Sequence, residues 1–296
     1  MSTVSVIGVG RIGAALLPRL VAAGHTVVAF DIDVSRRGIV DQAGAQWAAD
    51  VANALSNFDF VLTVLPGTPE IAELALSSDQ FLPRMRRGTT WIDLTSASYP
   101  ISLRCADAAA EHAVAYVGAP IGGGAEAVAN GSAIAFVGGD TPAVETALSI
   151  LGTFTRMVHH AGGPGQGNLA KLLVNLLWFG QVGLVTESFL LAQRLGLPPG
   201  VLRPMLRHSA ADSTFIETFL PDLLAGDYLA SFGLDRCVEE LEAVEASAEQ
   251  AGTPRSLISA IAELHRSALA HFGPLDGEML AAAWLEEQAG SRLADG

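Results

Sequence analysis

The chain has 296 residues, half of them hydrophobic, so it is long and apolar enough to form two domains with a large buried core. Its formal net charge of −14 disfavours binding to nucleic acid or to an anionic membrane surface. The two cysteines, Cys105 and Cys237, lie far apart and show no metal-ligand spacing, which predicts a reduced, cytoplasmic protein without a metal site.

The first predicted element is a β-branched strand at residues 4–8, followed by the sequence GVGRIG and a helix-like segment. A strand, the pattern G-x-G-x-x-G and a helix are typical of a Rossmann-type fold, in which glycines let the backbone approach a pyrophosphate at the helix N-terminus. We therefore predict a dinucleotide site here. Its predicted contacts are Gly8, Gly10, Arg11, Ile12 and Gly13.

The second predicted strand, at residues 26–30, ends in Asp31. An acidic side chain at this position accepts hydrogen bonds from the adenosine ribose and repels a 2′-phosphate. Arg36 and Arg37 follow in the next turn and could bind a 2′-phosphate if the loop folds back. The predicted cofactor is therefore NAD, with NADP as the alternative.

Strands and helices continue to alternate through the first half of the chain. The pattern predicts helices at residues 36–43, 50–55 and 99–112. It predicts further strands at residues 58–66, 89–94, 132–139 and 155–162. Because the strand at 58–66 is apolar throughout, we expect both of its faces to be buried in a parallel sheet.

Two predicted strands end in residues that should meet at the carboxyl edge of this sheet, where ligands of such folds bind. One ends in Leu65 and Pro66, and the next in Thr95 and Ser96. We predict Leu65, Pro66 and Thr95 as cofactor contacts and Ser96 as a substrate contact. An equally good explanation of the two hydroxyls is that they cap the following helix.

Three consecutive glycines, Gly122, Gly123 and Gly124, follow a strand and a proline. Without side chains their N–H groups can form a backbone nest for a carboxylate or phosphate. The alternative is a tight turn that requires positive φ angles. We predict that these glycines bind an anionic group of a small-molecule substrate.

The segment GGPGQGNLAKLLVN at residues 162–175 is a glycine-rich turn that leads into a helix. It contains Lys171, the only lysine of the chain, and Asn175, one helical turn later on the same face. Lysine, unlike arginine, can lose its proton when it is buried. We therefore predict that Lys171 transfers a proton in catalysis and that Asn175 contacts the substrate. The alternative is a lysine whose apolar stem is buried while its amine reaches solvent.

From about residue 166 onward the sequence has only helical periodicity. The predicted fold class is α/β: a doubly wound Rossmann domain at residues 1–163, then an all-helical substrate and oligomerisation domain at 164–296 that begins with a long interdomain helix. The apolar segment from Gly167 to Leu195 predicts a homodimer or larger homo-oligomer. Its charge-free part, residues 172–186, is too short to span a membrane, and no membrane partner is expected.

The order of these motifs resembles the β-hydroxyacid dehydrogenase family, which includes 3-hydroxyisobutyrate dehydrogenases and tartronate semialdehyde reductases. The resemblance rests on GVGRIG, LP at 65–66, DLTS at 93–96, GAPIGGG at 118–124 and the segment at 162–175. It implies hydride transfer between a nicotinamide cofactor and a small 3-hydroxy acid or its carbonyl form. In that family the lysine of the last motif is the general acid/base and the asparagine helps to hold the substrate.

Three positions depart from the family pattern. Gly118 and Gly122 stand where the family's substrate loop usually has an aspartate and a serine, and Glu239 stands where a lysine usually follows the motif F-x-L. The glycine-rich loop is compatible with a less acidic substrate, and the reversed charge at Glu239 could change cofactor contacts or admit a substrate that bears a cation. Imine reductases, which share the architecture but generally lack the lysine, are therefore an alternative. A catalytically silent dinucleotide sensor is a second alternative.

Overall fold

The computed structural model describes residues 1–294 and forms two compact units. The first unit comprises Met1–Lys171, and the second begins at Leu172. The division falls inside the helix Gln166–Arg194, so this helix begins in the first unit and continues through the start of the second.

The first unit, all of which the structure describes, is built on a nine-stranded sheet. Its strands are β1 (Thr3–Ile7), β2 (Thr26–Phe30), β3 (Gln46–Trp47), β4 (Phe60–Thr63), β5 (Thr90–Asp93), β6 (Ala115–Gly118), β7 (Ile121–Gly122), β8 (Ala133–Gly139) and β9 (Thr155–Gly162). They lie in the order β3-β2-β1-β4-β5-β6-β8-β7, and β9 pairs with β8. The pairs from β3 to β6 are parallel, in the order of a doubly wound dinucleotide-binding sheet.

Helices cover both faces of the parallel strands. They are α1 (Arg11–Ala22), α2 (Arg37–Gln42), α3 (Thr68–Ala72), α4 (Tyr99–Glu111), α5 (Gly124–Asn130) and α6 (Thr141–Leu151). Successive residues of a strand point to opposite faces, so Val4 and Val6 join Leu16 of α1 in one core cluster. Ile7 joins Trp91 in the cluster on the other face. The long apolar strands thus reflect burial on two sides.

The predicted helix at residues 50–55 is wrong. These residues form turns. The carboxylate of Asp50 caps the first turn by accepting a hydrogen bond from the N–H of Asn53 at 2.7 Å. The segment does not continue as a helix, and Asn57 has a left-handed backbone with φ +67°. The remaining predicted helices and strands of this unit are present with shifted ends.

The second unit is helical, and residues 172–294 contain no β-strand. Its helices are α7 (Gln166–Arg194), which starts in the first unit, α8 (Pro199–Leu206), α9 (Leu220–Leu224), α10 (Leu234–Gln250), α11 (Ser256–Phe272) and α12 (Leu280–Ala289). Between α8 and α10 the chain forms a π-helical turn, Phe215–Phe219, which is followed directly by α9. Pro221 has no N–H to continue regular hydrogen bonding at this junction. The predicted fold class, a doubly wound α/β domain followed by an all-helical domain, is confirmed.

Helix α7 exposes part of its apolar surface. Leu177, Leu184 and Leu191 recur every seven residues on one face and are 68%, 70% and 61% exposed. Within the described residues, α7 is the one helix whose length and composition would allow it to cross a membrane, and 28% of its most apolar window is buried.

Candidate active site

The first glycine turn joins β1 to α1 at the carboxyl edge of the sheet. Gly8 has φ +100°, and a Cβ there would lie 2.3 Å from the carbonyl oxygen of Val64. A Cβ at Gly13 would lie 2.1 Å from the carbonyl oxygen of Gly8, whereas one at Gly10 would meet nothing within 4 Å. Two glycines therefore permit close backbone packing, and the third keeps the space in front of the N-terminus of α1 open. This space fits a dinucleotide pyrophosphate.

Asp31 lies directly after β2 and stabilises the first glycine turn by hydrogen bonding. One carboxylate oxygen accepts a hydrogen bond from the N–H of Val9 at 2.7 Å, and the other accepts one from the N–H of Asp33 at 2.9 Å. The downstream arginines lie close to acidic partners: Arg36 is 3.3 Å from Asp33, and Arg37 pairs with an aspartate in α2. The carboxylate at the predicted ribose position thus has a structural role in addition to its predicted cofactor contact.

The ends of β4 and β5 are joined through Thr95. Its hydroxyl accepts a hydrogen bond from the N–H of Leu65 at 3.2 Å, and its own N–H donates to Asp93 at 3.1 Å. The side chain is buried, so it links two loops that are predicted to border the cofactor. Ser96, the next residue, is half-buried, and Pro66 is exposed at the same edge.

Asp93 is a buried acid that the sequence analysis did not single out. It accepts hydrogen bonds from the hydroxyls of Thr63 at 2.7 Å and Tyr116 at 3.3 Å. Burial raises the pKa of Asp93 to about 6, although these hydrogen bonds and those of Thr95 act in the opposite direction. A carboxylate at the end of the apolar strand TWID was the sequence signal that could have identified it.

The three predicted substrate-loop glycines lie beyond the end of β6. Gly122 belongs to β7, which pairs with β8, and Gly123 and Gly124 are exposed with φ of +99° and +68°. Both positive angles favour glycine, so the tight-turn explanation holds for these two residues. Neither residue has a side chain that would cover its backbone N–H group, as the predicted anion nest requires.

The second glycine turn packs the start of α7 against β8 and α4. A Cβ at Gly167 would lie 2.3 Å from the carbonyl oxygen of Phe136, and one at Gly165 would lie 2.8 Å from the ring of Tyr99. These glycines are therefore required for close approach. They bring the first turn of α7, which ends near Lys171, directly onto the sheet.

Asn168 is a second residue that the sequence analysis missed. Its side chain is buried, and its Nδ2 donates a hydrogen bond to the carbonyl oxygen of Thr95 at 3.1 Å. Lys171 follows three residues later and is half-buried. The sequence signal was the spacing of Asn168, Lys171 and Asn175, which places all three on one face of α7.

Within the second unit, Asn175 donates a hydrogen bond from Nδ2 to the carboxylate of Glu240 in α10. Glu239, which replaces the family's usual lysine, forms an ion pair with Arg236 at 2.8 Å one turn earlier in the same helix. The amide of Asn175 is thus oriented by an acid, and a cation remains on α10 at a shifted position. Across residues 1–294, no group of three or more His, Cys, Asp or Glu side chains is placed to hold a metal ion.

Comparisons with known proteins agree with this geometry. The family model for the NAD-binding domain of 6-phosphogluconate dehydrogenase matches residues 3–162, and the model for NAD-binding of NADP-dependent 3-hydroxyisobutyrate dehydrogenase matches residues 165–285. An NAD-dependent L-serine dehydrogenase of Pseudomonas aeruginosa is 31% identical over 222 residues, which are 75% of this chain and 74% of that protein.

Solved structures share the fold over nearly the whole chain. A 3-hydroxyisobutyrate dehydrogenase of Mycobacterium tuberculosis with L-serine has a TM-score of 0.89 at 24% identity, covering 96% of this chain and 99% of that one. An imine reductase variant from Myxococcus stipitatus with NAD⁺ has a TM-score of 0.66 at 17% identity, with the same coverage. The predicted family and the NAD or NADP cofactor are confirmed. The chain therefore belongs to the β-hydroxyacid dehydrogenase family and is an NAD(P)-dependent oxidoreductase that acts on hydroxyl groups.

Proposed function

We propose that the enzyme interconverts a small 3-hydroxy acid and its carbonyl form, with Lys171 as the general acid/base. The observation that carries this proposal is the placement of the chain's only lysine in the first turns of α7, which Gly165 and Gly167 pack against the sheet. Lys171 is thereby placed at the carboxyl edge of the sheet, where the glycine turn after β1 also lies. Proton transfer by a positioned side chain is worth about 10²- to 10⁴-fold in rate.

In the oxidation direction, neutral Lys171 Nζ accepts the proton of the substrate hydroxyl while the C–H bond of the same carbon breaks and the C=O bond forms. A nicotinamide cofactor held at the Gly10–Gly13 turn would supply the hydride acceptor in this direction and the hydride donor in the reverse reaction. In reduction, the ammonium of Lys171 returns the proton to the carbonyl oxygen. Asn175 does not titrate, and its proposed role is to orient the substrate by hydrogen bonding.

A carboxylate is the proposed anchor of the substrate. The exposed backbone N–H groups near Gly123 and Gly124 support this assignment, together with Ser96 after β5. Gly122 has no side chain, so it would not block the approach of the carboxylate to this loop. Because Glu239 replaces a lysine, 3-hydroxy acids that also carry an amino group are included among the proposed substrates.

NAD is the proposed preferred cofactor. The carboxylate of Asp31 lies at the end of β2 and would repel a 2′-phosphate, while Arg36 and Arg37 already lie near acidic side chains. Gly10, Arg11, Ile12 and Gly13 form the proposed pyrophosphate site, and Leu65, Pro66 and Thr95 border the nicotinamide half. Competitive titration of NADH and NADPH tests the preference, and tighter binding of NADPH contradicts it.

Imine reduction is the second candidate. It is supported by the fold shared with imine reductases and by the absence of side chains at Gly118 and Gly122. A cofactor-absorbance assay with 3-hydroxyisobutyrate, L-serine, other 3-hydroxy acids, the matching aldehydes and cyclic imines separates the candidates. We expect turnover of hydroxy acids and aldehydes. Turnover of cyclic imines alone replaces the proposal, and binding of cofactor without turnover of any compound favours the silent sensor.

We also propose that the enzyme is a cytoplasmic homodimer or larger homo-oligomer. The exposed leucines of α7 provide an apolar face that a second copy would cover. Light scattering at micromolar concentration tests this assembly. A monomer contradicts it, whereas an oligomer that Leu184→Glu dissociates supports burial of this face.

A further inference from the structure

The side chain of Asn168 connects the helix that carries Lys171 to the loop after β5. Its Nδ2 donates to the carbonyl oxygen of Thr95 at 3.1 Å, and the side chain is fully buried. Residues three apart lie on neighbouring positions of one helical face. The contact therefore fixes the rotation of the helical turn from which Lys171 projects.

Thr95 is itself held from two directions. Its N–H donates to Asp93 at 3.1 Å, and its hydroxyl accepts from the N–H of Leu65 at 3.2 Å. Leu65 and Thr95 border the proposed nicotinamide site. Through Asn168, the start of the Lys171 helix is tied to the same rigid loop pair, so the amine and the cofactor share one structural support.

Asn168 fits here because residue 118 has no side chain. A Cβ at Gly118 would lie 2.6 Å from Oδ1 of Asn168 and 3.4 Å from the hydroxyl of Tyr116. Within residues 1–294, Oδ1 has no hydrogen-bond partner, so packing against Gly118 fixes this end of the amide. The family motif has an aspartate at the position of Gly118, and Asn168 occupies space that such a side chain would need.

We propose that Asn168 is a positioning residue for Lys171 and that its packing against Gly118 sets the place of the amine relative to the substrate carbon. The inference rests on the proposed function, because it requires Lys171 to exchange the substrate proton. Loss of the Asn168 contact should lower kcat, since a displacement of about 1 Å at a reacting group can reduce the rate by about 10²-fold.

The test is a double-mutant cycle of Asn168→Ala, Gly118→Ala and the double variant, assayed with the best hydroxy-acid substrate. Each single variant should lower kcat by about 10- to 100-fold and raise the deuterium isotope effect on hydride transfer. KM and the cofactor Kd should change less than about 3-fold, because Asn168 and Gly118 are both buried inside the protein. The double variant should be no slower than Asn168→Ala, because both changes act on one contact.

Asn130→Ala, which removes an exposed amide of the same unit, is the matched control and should retain full activity. If Asn168→Ala does not fold, Gly118→Ala carries the test, since it keeps the amide and adds one methyl group. Unchanged kcat in folded single variants, or multiplicative losses in the double variant, overturns the positioning role. The activity of Lys171→Ala tests the proposed function independently. Full turnover by this variant rejects the proposed function, whatever the result of the Asn168 double-mutant cycle.

Discussion

Two glycine-rich turns lead into helices of the first unit, and they look alike in the sequence. In the turn Gly8–Gly13, Gly10 is exposed and a Cβ there would meet nothing within 4 Å. In the turn Gly162–Gly167, a Cβ at Gly167 would lie 2.3 Å from a backbone oxygen. The first turn keeps a space open for a ligand, whereas the second removes side chains so that a helix can approach the sheet.

An aspartate supports each turn in a different way. Asp31 accepts a hydrogen bond from Val9 within the first turn and remains partly exposed, so it can also contact a ligand. Asp93 is fully buried. It accepts a hydrogen bond from the N–H of Thr95, whose carbonyl oxygen accepts one from Asn168 at the start of α7. We therefore expect the first turn to bind a ligand and the second turn to position Lys171.

The largest expected effect concerns the helix that the second turn positions. Lys171→Arg should lower kcat by about 10²- to 10⁴-fold, because guanidinium keeps the charge but cannot accept the hydroxyl proton. The Kd of NAD(H), measured by fluorescence titration, should change little. Lys171→Met is the control for loss of charge and should be equally inactive. Substantial turnover by either variant would remove Lys171 from the chemistry.

The sequence was sufficient to predict the doubly wound sheet and the helical domain that follows it, because strand, turn and helix signals are local. The ligand-binding role of Gly8–Gly13 and the proton transfer by Lys171 stay predictions. Asp93 and Asn168 were missed, because a strand end and a helical spacing mark them only weakly, and their contacts join segments that are distant in the chain. The turn at 50–55 was mistaken for a helix because the Asp50 cap is also typical of a helix N-terminus, whereas the left-handed backbone of Asn57 ends the segment after a short run of turns.

The second expected effect is a pH dependence of stability that comes from Asp93. The folded state raises the pKa of Asp93 from 3.8 to about 6, so it favours the protonated acid. The stability that this provides is complete below pH 3.8 and is lost as pH rises through 6. Asp93→Asn should therefore gain about 3 kcal/mol relative to wild type between pH 3.8 and pH 7, at about 1.4 kcal/mol for each unit.

Urea unfolding of both proteins at several pH values measures this difference. Buried His265, whose pKa burial lowers to about 4, destabilises both proteins as pH falls from 6.5, and it cancels in the comparison. A difference that stays constant with pH would show that Asp93 does not titrate in this range.

A third prediction compares the turns directly by adding one methyl group to each. Gly167→Ala should destabilise the first unit by about 1–3 kcal/mol or more, because the Cβ would overlap backbone atoms that cannot move easily. Gly10→Ala should leave stability within about 1 kcal/mol, because its φ of −71° suits alanine and no atom is near. Its NAD(H) affinity should fall by about 10-fold, since the methyl group enters the pyrophosphate space. Equal losses of stability in both variants would contradict the distinction between an open ligand-binding turn and a closely packed structural turn.

The smallest expected effect concerns Asp31, which has both a structural and a ligand-binding role. Asp31→Asn removes the charge but keeps an oxygen that can accept from Val9, so the glycine turn should remain in place. We expect this variant to lose about 10-fold of its preference for NADH over NADPH, because the repulsion of a 2′-phosphate disappears. Asp31→Ala should weaken binding of both cofactors, because it also removes the contact that holds the turn. Parallel titrations of NADH and NADPH with both variants measure the two roles separately. Equal behaviour of Asp31→Asn and wild type would assign cofactor preference to another residue and leave Asp31 with its structural role alone.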